Sequence, residues 1–88
     1  MLYITAVHMD KGEDHSHISK VKLWNDVKGE EIELAVWEVM LHIRLEQSVF
    51  VKNGSSKIPV VVVDETPPYI RTKADGIYTD NLLELPRY

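Results

Sequence analysis

The patterning of this chain predicts an α+β domain: one main helix packed on an antiparallel sheet of about five strands, in the order β-β-α-β-β-β, with a short C-terminal helical turn. Three observations lead there. Runs rich in β-branched and aromatic residues recur between turn-forming clusters. The stretch from Ile32 to Leu45 contains neither Gly nor Pro. The 88 residues, 44% hydrophobic and 27% charged, have the balance of one small globular unit, so residues 1–88 are expected to form a single domain.

Leu2 to Met9 reads as the first strand and His17 to Trp24 as the second, joined by the polar loop Asp10 to Ser16. Lys11-Gly12-Glu13-Asp14 keeps the tip of that hairpin in water. Asn25-Asp26-Val27-Lys28-Gly29 has turn composition and delivers Glu30-Glu31, two carboxylates suited to the positive end of a helix. The helix is therefore expected from there through Leu45, with His42 and Arg44 near its negative end. Ser48 to Val51 and Ile58 to Val63 form a second hairpin around Asn53-Gly54-Ser55-Ser56, and the four consecutive valines suggest a strand covered on both faces. Thr66-Pro67-Pro68 makes a corner before a strand over Tyr69 to Lys73. Asp75-Gly76 signals a tight turn, and Thr79-Asp80-Asn81 could cap a helical turn that Pro86 stops.

At 100° per residue, the expected helix is apolar on two sides. Ile32, Ala35, Val36, Val39, Met40 and Ile43 cluster on the side that would meet the sheet. Leu34, Trp37, Leu41 and Leu45 cluster roughly opposite, and the charged residues are confined to narrow flanks. Burying such side chains is worth about 1.5–3 kcal/mol each, so the second face calls for a cover. The C-terminal Leu82, Leu83, Leu85, Pro86 and Tyr88 could fold back over it. Alternatively a second copy of the chain, or another protein, packs there, with the four residues as interface anchors.

Ten Lys and Arg against 14 Asp and Glu give a net charge of -4, which disfavours general nucleic-acid or anionic-membrane binding. There are no cysteines, so disulfides, thiol nucleophiles and thiolate-bound metals are excluded. The first residues lack a basic leader and the longest apolar run, Val60 to Val63, is far too short to span a bilayer, so a cytoplasmic protein is expected.

Three sets of residues invite chemistry. His8, His15 and His17 flank the first hairpin loop, and if His8 lay opposite His17 the three imidazoles could hold zinc or another divalent metal. Tyr69, Arg71 and Lys73 share one strand face, an aromatic and two cations suited to single-stranded nucleic acid. The competing reading ties Arg71 to Asp75 or Asp80 in a polar network with Asn81 that fixes the tail. No catalytic constellation emerges: Ser16 lies between His15 and His17 without a nucleophile elbow, and the glycines at 12, 29, 54 and 76 are too scattered for a phosphate loop.

The string Tyr69-Ile70-Arg71-Thr72, Ala74-Asp75-Gly76, Thr79-Asp80-Asn81-Leu82-Leu83 and Leu85-Pro86, with His15, His17-Ile18 and Trp24, resembles domain-of-unknown-function family 3892, small proteins of bacteria and phages. The resemblance implies a single-domain protein of such origin and draws attention to the tail and the two histidines without assigning them a task. The leading expectation is a non-enzymatic binding or structural module acting through a protein–protein surface as a homodimer. A histidine metal site and a single-strand nucleic-acid module around Tyr69 and Arg71 are the alternatives.

Overall fold

The structure, a computed structural model, describes residues 1–88. Seven strands form one sheet in the order β3-β2-β1-β4-β5-β6-β7: β1 (Leu2–Met9), β2 (Ile18–Asn25), β3 (Glu30–Ala35), β4 (Val49–Asn53), β5 (Ser56–Val63), β6 (Tyr69–Ala74) and β7 (Ile77–Thr79). One helix, α1 (Val36–Arg44), lies between β3 and β4. The class is α+β as expected. The sheet, however, is mixed and has seven strands, not five antiparallel ones, because β1 and β4 run parallel while all other neighbours are antiparallel.

The largest departure is at Glu30–Ala35, expected as the first turns of the helix and found as β3, paired along its length with β2 from Asn25↔Glu30 to Lys20↔Ala35. The cause is local. Asn25 Oδ1 accepts hydrogen bonds from the amides of Val27 and Lys28 at 3.1 and 3.2 Å, and Gly29, at φ +64°, donates its own amide to the Asn25 carbonyl at 2.8 Å. That turn sends the chain straight back along β2. Glu31-Ile32-Glu33-Leu34 then alternates with period two, so Ile32 and Leu34 face the core opposite Leu23 and Val21 while the glutamates face out opposite Trp24 and Lys22. The helix begins only at Val36, where Glu38 Oε1 accepts the amide of Ala35 at 3.0 Å.

The core gathers the inward residues of the sheet, including Ile4, Val7, Val21, Leu23, Val51 and Ile70, beneath Val39 of α1 and Leu82 of the tail. Val36, Met40 and Ile43 pack against it from the same side of the helix, whereas Ile32 and Ala35, read from the sequence as part of that helical stripe, lie in β3. β5 changes partner midway. Residues from Ser56 to Pro59 pair with β4 and those from Val60 to Val63 with β6, the switch coming just after Pro59, which lacks an amide hydrogen. Of the four valines only Val60 is fully buried, the next three being half-exposed.

Asp75 and Gly76, at φ +52° and +78°, form the tight turn that adds β7, a strand the sequence reading lacked. After it the chain makes two successive turns, Leu83 N–H to Asp80 O at 3.0 Å and Leu85 N–H to Leu82 O at 3.3 Å, rather than a helix. It then lies beside β1: Val7 donates to Pro86 O at 3.0 Å and accepts from the Tyr88 amide at 3.2 Å. β4 covers that side of β1 only at Leu2 and Tyr3, so the tail fills the rest. No helix is long and apolar enough to cross a membrane.

Candidate functional site

The residues of the C-terminal string converge in space. Counting outward from the Asp75-Gly76 turn, Ala74 pairs with Ile77, Lys73 with Tyr78 and Thr72 with Thr79. Thr72 is fully buried, and its hydroxyl donates to the Thr79 carbonyl at 3.0 Å while receiving the Thr79 hydroxyl at 2.7 Å. Asn81 Oδ1 also lies 2.7 Å from the Thr79 hydroxyl, linking β6, β7 and the tail. Arg71 extends from the outer face, giving Nη2–H to Asp80 Oδ1 at 2.9 Å and Nε–H to the Thr79 carbonyl at 3.3 Å. Arg71 and Lys73 both lie over the Tyr78 ring, at 5.4 and 5.1 Å. Arg71, Asp80 and Asn81 thus share one hydrogen-bonded network with Thr72 and Thr79. Asp75 stands apart from it, held in the turn. Thr72 and Thr79 were overlooked, although their equal distance from the Asp-Gly turn was a usable signal.

His15 joins this cluster from the other end of the chain. A 3-10 turn at His15–His17, closed by the His17 amide on the Asp14 carbonyl at 2.9 Å, carries it to within 3.7 Å of Asp80 and sets its ring 6.3 Å from that of Tyr69. Burial, reinforced by the Arg71 cation, pushes the His15 pKa below its ordinary value, against the opposing pull of Asp80 and Asp14. Its Nε2 is buried without a hydrogen-bond partner. Beside it opens a polar hollow of about 380 Å³ lined by Asp14, His15, Ser16, Glu65, Thr66, Pro67 and Tyr69.

The three histidines do not share a face. β1 and β2 pair His8 with Lys20, not with His17. His8 contacts the Tyr88 carbonyl, His15 faces Tyr69 and Asp80, and the His17 ring packs over Gly12. No group of three or more His, Asp or Glu side chains converges as a metal site would require, so the arrangement expected of His8, His15 and His17 is corrected.

The proposed interface anchors also divide. Leu34, being in β3, is half-buried against the core and drops out. Trp37, Leu41 and Leu45, spaced by four on α1 and the residue that follows it, remain 62%, 50% and 64% exposed. They line a shallow hollow of about 260 Å³ with Glu38, His42 and Gln47. The tail does not cover them. Leu82 is in the core and Pro86 to Tyr88 lie along β1, which overturns the fold-back expectation.

A family model described as "Protein of unknown function (DUF3892)" matches residues 3–86. No curated protein and no solved structure matches the chain.

Proposed function

The chain belongs to the DUF3892 family across almost its whole length, and we propose that it works as a non-catalytic binding module that pairs with a second copy of itself through α1. The observation that carries this reading is the exposed trio Trp37, Leu41 and Leu45, which residues 1–88 leave uncovered. Large apolar side chains grouped on one helix face, rimmed by Glu38, His42 and Gln47, are the composition of an interface centre with a polar edge.

A second copy fits for geometric reasons. In an antiparallel pairing about a two-fold axis, Leu41 meets its own counterpart while the Trp37 ring of each chain enters the hollow beside Leu41 and Leu45 of the other. The same arrangement sets the positive end of each helix dipole beside the negative end of its neighbour. One helix of nine residues offers a small interface, so the dimer is expected to be weak and concentration-dependent.

Sedimentation velocity over a concentration series tests it. The wild-type chain should shift from monomer to dimer as concentration rises through roughly the micromolar range. Trp37→Glu should remain monomeric with an unchanged circular dichroism spectrum. A wild-type chain that stays monomeric at about 100 μM, where even a Kd near 10 μM would be saturated, removes the proposal.

A further inference from the structure

Charge is unevenly distributed over the sheet. β1, β2, β4 and β5 contain no Asp or Glu, although the chain has 14 of them, and they contribute Lys20, Lys22, Lys52 and Lys57 to the outer face. Lys52 and Lys57 stand directly opposite each other in the β4–β5 register, an unfavourable pairing of like charges in an isolated sheet. None of the four is in an ion pair; each lies over an aromatic ring instead. Lys52 Nζ is 4.7 Å from the Tyr3 ring centre, Lys57 Nζ 4.8 Å from that of Phe50, and Lys22 Nζ 4.7 Å from that of Tyr88.

The same face is hollowed. A depression of about 270 Å³ lies among Tyr3, Thr5, Trp24, Lys52 and Leu85, with Ile4 in its floor. A second, of about 350 Å³, is lined by Tyr3, Lys52, Gly54, Ser55, Ser56 and Lys57. They share Tyr3 and Lys52, so they form one groove running from Trp24 across β1 and β4 to the β4–β5 turn, and no carboxylate lines either part. Trp24 is 41% exposed and has no cation over its ring, which leaves an indole surface open at one end.

We propose that this groove binds single-stranded nucleic acid, one base stacking on Trp24 in the first hollow and the phosphates that follow tracking Lys52 and Lys57 past the Ser55 and Ser56 hydroxyls. An aromatic platform continuous with unpaired cations matches a chain that alternates flat bases with negative charge; a purely acidic peptide would leave the indole without a partner. The overall charge of -4 argues against nucleic acid as a global sum, and two carboxylates border the groove. Glu31 stands opposite Trp24 in the β2–β3 register, and Asp26, already paired with the terminal ammonium of Met1, lies near enough to act on Lys52. The proposal rests on the local excess of Lys52 and Lys57 at the other end. The site is on the opposite side of the sheet from α1 and is independent of pairing through the helix.

The test uses the full chain with Trp37→Phe, so that Trp24 alone reports by fluorescence. The titrant is an oligothymidylate of about 12 nucleotides, at about 20 mM and about 200 mM salt. Saturable quenching at low salt is expected, weakening by roughly tenfold or more at the higher salt as counterions are recaptured. Lys52→Glu with Lys57→Glu should abolish it, and Lys73→Glu, outside the groove, should leave it within about twofold. Anisotropy of a labelled oligomer should show Trp24→Ala weakening binding by about tenfold, the loss expected of one stacked base. Absence of quenching and anisotropy change at low salt overturns the proposal. So does equal affinity for inorganic polyphosphate, which would make this a simple anion surface, or for a duplex of the same length.

Discussion

Val7 hands its amide hydrogen to the Pro86 carbonyl at 3.0 Å and takes the Tyr88 amide on its own carbonyl, so the two ends of the chain share a rung of the sheet. Val7 is fully buried with the tail in place, and β4 pairs with β1 only at Leu2 and Tyr3, so without the tail neither of its backbone groups would keep a partner within the sheet on that side. A chain shortened by residues 86–88 should lose about 1–3 kcal/mol of stability through those two hydrogen bonds. Urea denaturation measures it, and an unchanged midpoint would show the rung to be incidental.

Leu82 and Leu41 should respond in opposite ways to the same truncation. Leu82 is fully enclosed in the core, so Leu82→Ala should cost about 2–5 kcal/mol, the lost transfer energy plus the cavity left behind. Leu41 is half-exposed on α1, and Leu41→Ala should stay within about 0.5 kcal/mol in dilute, monomeric protein while weakening self-association. Thermal unfolding at low concentration, set beside sedimentation at high concentration, separates the two effects.

His15 gives the fold a dependence on pH whose sign follows from its surroundings. Burial, aided by Arg71, lowers its pKa in the folded chain, so the unfolded chain takes up the proton first. This contribution is fully present above the ordinary histidine value of 6.5 and is lost as pH falls from there toward the lowered folded value. Urea midpoints at about pH 7.5 and about pH 5.5 should differ less in His15→Gln than in the wild type. An identical difference in both would remove His15 as a source.

Gly12 is constrained by contact, not by backbone angle. A Cβ there would lie 2.5 Å from His17 Nδ1, and the imidazole has no hydrogen bond at that atom to guide it elsewhere. Gly12→Ala should therefore destabilise the chain by about 1–3 kcal/mol, the usual cost of overpacking. Adding His17→Ala should return much of that loss, a non-additivity that a double-mutant cycle measures directly.

How far these relationships could be read from the sequence depended on their range. The first hairpin, the second hairpin, the strand at Tyr69 and the Asp75-Gly76 turn are encoded by neighbours within a few residues, and all were legible. Glu30 to Ala35 was not, because Ile32 and Leu34 satisfy a helical stripe and an alternating strand equally well over so short a run. The Asn25 side chain that folds the preceding turn decides between them. Arg71 with Asp80 was legible as a charge pair at short separation. His15 beside the same carboxylate was not, since the two lie 65 positions apart and only the curling of the sheet brings them together. The lysines of the outer face escaped for a related reason: β2, β4 and β5 each contribute one or two, and their grouping exists only once the strand order is known.

β3 is one margin of the sheet, and its backbone groups on the outer side have no strand beside them. Such a margin invites recruitment of another chain by hydrogen bonding alone. Its outward side chains, Glu31 and Glu33, make that recruitment self-defeating, because a second copy arriving antiparallel would bring the same two carboxylates up against them. The open margin of β3 is thereby guarded against open-ended stacking of one copy's sheet on the next.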